Sequence, residues 1–98
     1  MDRIVITGLG LVCAIGGSAD ECFDNAVAGK VGIKEVSSVE HSKCYAHIGA
    51  EYPEFVTPDG EDRATALCVK AAEEAVADSG IDVKKDADRV GVMIGSCV

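Results

Sequence analysis

Apolar residues are grouped in separate runs along the chain, and the spacing differs from one run to the next. Residues 3–7 are all β-branched except Arg3 and form a nearly continuous apolar run, which favours a strand buried on both faces. Residues 22–27 place apolar side chains at helical spacing, and Ser18 with Glu21 matches the capping-box pattern just before them. Gly29 stands where a left-handed residue ends a helix. The pattern predicts a strand followed by a short amphipathic helix that begins at Ser18.

A second helix is the clearest element of the pattern. Small apolar side chains recur on one face with a period of 3.6 residues, namely Ala64, Leu67, Cys68, Ala71, Ala72, Ala75 and Val76. We expect this helix to begin between Thr57 and Asp59 and to end at Gly80. Because its side chains are small, it should approach a neighbouring backbone closely and be deeply buried in the molecule to which it belongs.

The remaining strand signals are shorter. Residues 31–33 indicate a turn into an extended segment, residues 47–50 a short strand, and residues 90–94 a nearly all-apolar final strand. The order β, α, short β, α, β predicts an α/β protein with a mainly parallel sheet.

Composition narrows the class of protein. Ninety-eight residues allow one domain at most, and with 4% aromatic residues and no Trp the core must consist of Val, Ile, Leu and Ala. A net charge of −8 repels phosphate, so nucleic-acid binding is not expected. No apolar run approaches the ~20 residues of a membrane span. A signal peptide at residues 4–15 is disfavoured, because that run contains glycines and has a strand pattern.

Five cysteines form no C-x-x-C pair, and an odd number disfavours a disulfide framework. We expect reduced, mostly buried thiols in a cytoplasmic protein. Cys97 follows the last apolar strand without a helix to activate its thiol, so it is interpreted as structural and buried.

Two further patterns resemble known kinds of binding site. Gly8-Leu9-Gly10 has Cys13 where a dinucleotide fingerprint needs its third glycine, and the first helix starts too late to face a pyrophosphate. The spacing His41, Cys44, His47 offers three zinc-type ligands without a fourth, so surface histidines beside a half-buried thiol are the favoured interpretation. We therefore assign no catalytic, cofactor-binding or metal-binding residue, and no cofactor. The acidic run of the second half is interpreted as a solvated face.

An ordered set of motifs resembles the start of the β-ketoacyl-acyl-carrier-protein synthases. Residues 4–10, with Ile15-Gly16 after them, resemble V-V-I-T-G-x-G-x-x-S/T-P-x-G, and residues 28–33 resemble A-G-x-S-G-I. Residues 71–80 resemble A-x-x-A-L-x-D-A/S-G-L, and residues 89–96 resemble R-x-G-V-x-x-G-S/T. The resemblance spans nearly all 98 residues in the right order. Cys13-Ala14 replaces the family's Ser/Thr-Pro, which relaxes the turn.

The resemblance implies a thiolase-like fold with two similar α/β halves in five layers, usually a homodimer. In this family a cysteine accepts an acyl group from acyl carrier protein, malonyl-carrier protein decarboxylates, and its enolate attacks the thioester. Two histidines stabilise the developing negative charge. The nucleophile, in a motif like D-T-A-C-S-S, and both histidines are expected beyond Val98, and neither His41 nor His47 matches them. Residues 1–98 are thus expected to be the N-terminal fragment of the first ketosynthase half-domain, an incomplete thiolase-like α/β/α/β/α fold without activity of its own.

Three interpretations remain open on the sequence. The chain is a piece of a ketosynthase or one chain of a split enzyme, a non-catalytic partner subunit of the chain-length-factor type, or a small self-contained α/β binding domain. The first two imply acyl carrier protein as a partner through the complete enzyme, and a homo-oligomer or completion by another chain. The charge of −8 makes this segment an unlikely docking surface for an acidic carrier. The resemblance is compatible with fatty-acid synthesis and with polyketide synthesis.

Overall fold

Two helices and one small hairpin form the regular structure of the chain. The computed structural model describes residues 1–97. Its elements are helix α1 (Ala19–Val27), strand β1 (Ile33–Glu35), strand β2 (Ile48–Ala50), helix α2 (Arg63–Ser79) and a 3₁₀ turn (Ala87–Arg89). None of the helices in this part of the chain is long and apolar enough to cross a membrane.

Helix α1 is capped much as its sequence predicts. The Ser18 hydroxyl accepts a hydrogen bond from the Glu21 amide at 3.2 Å. The Glu21 carboxylate reaches back to accept from the Gly17 amide at 3.1 Å, one residue earlier than the reciprocal bond of a capping box. Gly29, with φ of +77°, ends the helix as expected.

Helix α2 begins later than predicted. Its N-cap is Asp62, whose carboxylate accepts from the Thr65 amide at 3.0 Å. The predicted start between Thr57 and Asp59 is wrong, because Gly60 has φ of +81°, a conformation that a right-handed helix cannot contain. The predicted end at Gly80 is confirmed, since this residue is left-handed with φ of +70°.

The sheet is antiparallel and has two strands. Ile33 pairs with Ala50 and Glu35 with Ile48, and the Val36 amide extends the ladder by donating to the His47 carbonyl at 2.9 Å. The short strand at residues 47–50 is therefore confirmed in position. No parallel pairing occurs among residues 1–97.

The strands predicted at residues 3–7 and 90–94 are not formed in the described part of the chain. A strand needs a partner that satisfies its backbone amides and carbonyls. Neither run has such a partner among residues 1–97, and their side chains are correspondingly exposed, to 99% at Ile4 and 97% at Met93. The local pattern for a buried strand is present, but the neighbouring strands are not.

The buried core is very small. Only Cys22 and Ala66 are buried among the described hydrophobic residues. On α2, Leu67, Ala71 and Ala75 are half-buried whereas Ala64 is exposed. The expected deep burial of α2 is thus not reached by contacts among the described residues alone.

The thiols are less buried than the sequence suggested. All five cysteines are free, with Cys22 buried, Cys13 and Cys68 half-buried, and Cys44 and Cys97 exposed. The expectation of mostly buried thiols is therefore wrong for Cys44 and Cys97. Cys97 is exposed because residues 90–94 have no covering element, and Cys44 lies at the exposed end of the hairpin loop.

Candidate functional site

A close contact between the N-terminal segment and α2 organises the molecule, and we call it the glycine seam. It joins Gly8 and Gly10 to the face of α2 formed by Ala71, Ala75 and Ser79. A Cβ atom on Gly10 would lie 2.9 Å from the Ala75 amide nitrogen, and one on Gly8 would lie 2.7 Å from the Ser79 nitrogen. Side chains cannot be accommodated there, so both glycines serve a close backbone approach.

Two carboxylates on α2 hold the segment in place. Asp78 accepts from the Leu9 amide at 3.0 Å. Glu74 accepts from the Leu11 amide at 3.1 Å and, through its other oxygen, from the Ala19 amide at 2.8 Å. Because Ala19 is the first residue of α1, Glu74 places negative charge at the positive end of that helix.

The sequence pattern predicts a solvated acidic face and does not predict this role. In the structure, Glu74 and Asp78 lie beside the glycine seam and accept hydrogen bonds from backbone amides. The available signal was their spacing of four residues, interleaved with Ala71 and Ala75. The same seam gives Gly8-Leu9-Gly10 a packing role.

An apolar groove lies between the N-terminal segment and α1. Its volume is about 610 Å³. The side chains that define it are mostly aliphatic, aromatic or sulfur-containing, chiefly Leu9, Leu11, Cys13, Ile15, Cys22 and Phe23. Phe23 and Val27, on the apolar face of α1, are exposed. This face therefore has no cover within residues 1–97.

Two thiols meet at this groove. The Sγ atoms of Cys13 and Cys22 are 3.2 Å apart. Cys13 lies on a tight turn whose ends are joined by two backbone hydrogen bonds with Gly16, at 3.0 and 3.1 Å. Cys22 lies in the first turn of α1, where its amide donates to the Ser18 carbonyl at 2.9 Å. Turn and helix therefore place the two sulfurs next to each other.

The pKa values of these thiols move in opposite directions. The pKa of Cys13 is lowered, chiefly by a hydrogen bond from the Ile15 backbone amide and then by the Cys22 thiol. Burial raises the pKa of Cys22, and the neighbouring Cys13 raises it further. Cys13 is thus the thiol that ionises first. The sequence pattern does not predict this pair, because the two cysteines are nine residues apart and lack the C-x-x-C spacing.

The His41, Cys44, His47 pattern does not assemble as a three-ligand site. The two Nδ1 atoms of His41 and His47 are 2.9 Å apart and share a hydrogen bond. The His41 Nε2 atom lies 3.8 Å from a Glu35 carboxylate oxygen. Within residues 1–97, no three side chains of His, Cys, Asp or Glu converge as metal ligands. The histidine pair instead joins the middle of the hairpin loop, at His41, to its C-terminal end, at His47.

Glu51 organises the other side of the hairpin. Its carboxylate accepts from the Ser37 amide at 2.8 Å, from the Ser38 amide at 3.1 Å, and from both hydroxyls. These bonds, led by the Ser38 hydroxyl, lower the pKa of Glu51 from 4.5 to about 2. Arg63 completes the region by donating to the Tyr52 and Phe55 carbonyls at 2.7 and 2.9 Å. The connection between β2 and α2 is thereby fixed.

Comparison with known proteins identifies the family. Residues 1–98 match the family described as "Beta-ketoacyl synthase, N-terminal domain". The 3-oxoacyl-[acyl-carrier-protein] synthase 2 of Staphylococcus aureus (strain COL) is 34% identical over 103 aligned residues, which cover 96% of this chain and 25% of that protein. The protein of the same name from Coxiella burnetii (strain RSA 493 / Nine Mile phase I) is 35% identical, with the same coverage. No solved structure matches the chain.

The chain belongs to the β-ketoacyl synthase family, whose N-terminal domain it matches over residues 1–98. It spans about a quarter of the length of the curated relatives that it matches. The resemblance noted from the sequence is therefore confirmed, together with the α/β class that the family implies.

Proposed function

We propose that the chain forms the N-terminal scaffold of a β-ketoacyl-acyl-carrier-protein synthase, within the first ketosynthase half-domain. The observation that carries this proposal is the family match over residues 1–98. The similar proteins are named as 3-oxoacyl-[acyl-carrier-protein] synthases, and the proposal takes fatty-acid synthesis as the pathway. The proposed reaction is the decarboxylative Claisen condensation of an acyl thioester with a malonyl thioester, both attached to acyl carrier protein.

The dimensions of the chain support a part that packs against further polypeptide. A compact monomer of this mass would expose about 5,300 Å², whereas this chain exposes 8261 Å². Its radius of gyration is 16.6 Å, against about 12.6 Å for a compact domain of this length. These differences disfavour the self-contained binding domain, because such a domain would bury its own apolar faces.

The residues of this chain have positioning roles in the proposal. The glycine seam fixes the N-terminal segment on α2, and Glu74 couples that contact to the start of α1. The nucleophilic cysteine and the two histidines would come from polypeptide beyond Val98. The mainly parallel sheet belongs to the same proposal, with residues 3–7 and 90–94 as strands that pair with such polypeptide. A homo-oligomer and a cytoplasmic location are further parts of it.

A condensation assay tests the proposal. The natural protein that contains residues 1–98, including any sequence encoded after Val98, is incubated with an acyl-carrier thioester and malonyl-carrier protein. We expect carbon dioxide and a 3-oxoacyl-carrier product, and no product from residues 1–98 alone. Malonyl-carrier protein without the acyl donor is the control.

Two results would each contradict a different part of this proposal. Stoichiometric acylation of Cys44 or Cys97 in the 98-residue chain would contradict a purely positioning role. A coding sequence that continues without a D-T-A-C-S-S-like stretch, together with an inactive protein, would favour the partner subunit of the chain-length-factor type.

A further inference from the structure

We propose that Cys13 and Cys22 form a reversible redox pair that closes to a disulfide by exchange with a small-molecule disulfide. The proposal goes beyond the proposed condensation, and it does not depend on it. It rests on the geometry of the two thiols at the apolar groove.

The two sulfur atoms are already in contact. Their separation of 3.2 Å exceeds a disulfide bond of about 2.05 Å by roughly 1 Å. Cys13 is on a four-residue turn, which can shift, while Cys22 is on a helix, which cannot shift without losing backbone bonds. In the described part of the chain, none of the other cysteines shares a hydrogen bond with a second thiol.

Burial divides the roles between the two thiols. Among the described residues, Cys13 is half-buried on the groove, where a small disulfide can approach it, whereas Cys22 is only 2% exposed. Cys13 is also the thiol with the lowered pKa, because the Ile15 backbone amide donates to its sulfur. Attack on an external disulfide requires a thiolate with access to solvent. Cys13 is therefore the attacking sulfur, and Cys22 is the resolving one.

The exchange proceeds in two balanced steps. The Cys13 thiolate attacks a disulfide RS–SR, which forms Cys13–S–SR and releases one thiolate RS⁻. The Cys22 thiol then loses its proton and attacks the Cys13 sulfur, which forms the Cys13–Cys22 bond and releases the second RS⁻. The two cysteines are oxidised by two electrons, and the external disulfide is reduced to two thiols. Excess thiol reverses both steps.

Closure would fasten the turn at residues 13–16 to the first turn of α1. The affected surface is the apolar groove, because both sulfurs line it. The redox state of the pair thereby sets how freely the N-terminal segment moves relative to α1.

Oxidised glutathione is the probe for the test. The natural protein that contains residues 1–98 is reduced, incubated with it, quenched with acid, alkylated with N-ethylmaleimide, and cleaved after Glu21, which separates Cys13 and Cys22 into different peptides. We expect these two peptides to remain joined by a disulfide. The pair should form at least about tenfold faster than any link involving Cys44, because contact raises the effective concentration of one thiol at the other.

Variants and a denatured control separate this proposal from chance oxidation. In Cys22→Ser, Cys13 should accumulate a glutathione adduct that cannot resolve, whereas Cys68→Ser should behave like the unaltered protein. In urea the preference for the Cys13–Cys22 link should fall at least severalfold, since the fold no longer holds the sulfurs together. The proposal is overturned if both thiols remain alkylatable after oxidation, or if urea leaves the preference unchanged. Mapping in the unaltered protein decides the outcome even where a variant misfolds.

Discussion

Individual carboxylates position the N-terminal segment and the start of α1 by accepting hydrogen bonds from their backbone amides. Glu74 accepts two backbone amides that belong to different segments, at 3.1 Å from Leu11 and 2.8 Å from Ala19. A charged acceptor makes a hydrogen bond stronger than a neutral one, and an amide deprived of its partner must find water instead. Glu74 is therefore the residue through which α2 orients both the N-terminal segment and the start of α1.

Replacing Glu74 should loosen both contacts without unwinding α2. In Glu74→Ala we expect hydrogen exchange at the Leu11 and Ala19 amides to accelerate about five- to tenfold, since each loses a bond of about 1 kcal/mol or slightly more. Alanine favours helices, so amides within α2 should be unaffected. Glu73→Ala is the matched control, because Glu73 is exposed on the same helix. Equal acceleration in both variants would contradict the assigned role.

The stability of the hairpin should depend on pH through the ionisation of Glu51. Its pKa in the folded chain is about 2, below the ordinary 4.5. The stabilisation that the ionised Glu51 carboxylate gives to the hairpin is therefore fully present above pH 4.5 and is lost as the pH falls toward 2. Carboxyl NMR should show Glu51 titrating near the lower value, and Ser38→Ala should raise its pKa, because the Ser38 hydroxyl is the leading cause of the shift. Ser96→Ala should leave it unchanged, and a Glu51 titration near 4.5 in the unaltered chain would refute the assignment.

At the level of elements, the sequence predicted the helix ends that are set by residues close to them in the chain. Helix α1 begins after Ser18 and ends before Gly29, and helix α2 ends at Gly80. These ends were predictable because a capping residue or a left-handed glycine affects only the backbone groups within a few residues of it. The start of α2 was misplaced, since Asp62 and the turn at Gly60 compete with the earlier Thr57 to Asp59 signal.

The strands and the candidate site depended on contacts that the pattern does not encode. Residues 3–7 have the composition of a buried strand, but a strand also requires a partner, and residues 1–97 supply none. The contact of Cys13 with Cys22 and the roles of Glu74 and Asp78 likewise arise from how α1 and α2 meet the N-terminal segment. The small-residue face of α2 did predict a close approach, and the glycine seam provides it.

The glycine seam should not tolerate a methyl group. In Gly10→Ala, the new Cβ would meet the backbone of Ala71 and Ala75, which cannot rotate away. We expect a loss of about 1–3 kcal/mol at this contact, seen as faster hydrogen exchange at the Leu9 and Leu11 amides. Gly91→Ala makes the same chemical change where nothing lies within 4 Å, and it should leave those amides unchanged. An unaltered exchange pattern in Gly10→Ala would show that the seam is not populated.

For the molecule as a whole, exposed apolar surface is the dominant property. The chain exposes roughly 3,000 Å² more than a compact monomer of its mass would. That excess includes the apolar runs at residues 3–7 and 90–94 and the outer face of α1. Surface of this extent and character is normally buried in a protein interface or a domain core. Few charged residues lie within these runs, because the acidic residues are concentrated in the sequence between them. Charge repulsion therefore does not keep the apolar runs of two chains apart.

In isolation, residues 1–98 should therefore be marginally stable and should self-associate. We expect binding of a hydrophobic dye, a broad thermal transition, and oligomers whose proportion rises with protein concentration in sedimentation velocity. The natural protein that contains these residues, with any further sequence that it encodes, should show none of these if other polypeptide covers the same faces. Small-angle scattering at low concentration measures the radius of gyration of the monomer and so tests the opposite outcome. A monomer with a radius of gyration near 12.6 Å, instead of the 16.6 Å of this structure, and with a sharp melting transition would mean that the chain completes its own core. The self-contained binding domain would then be the better interpretation of its architecture.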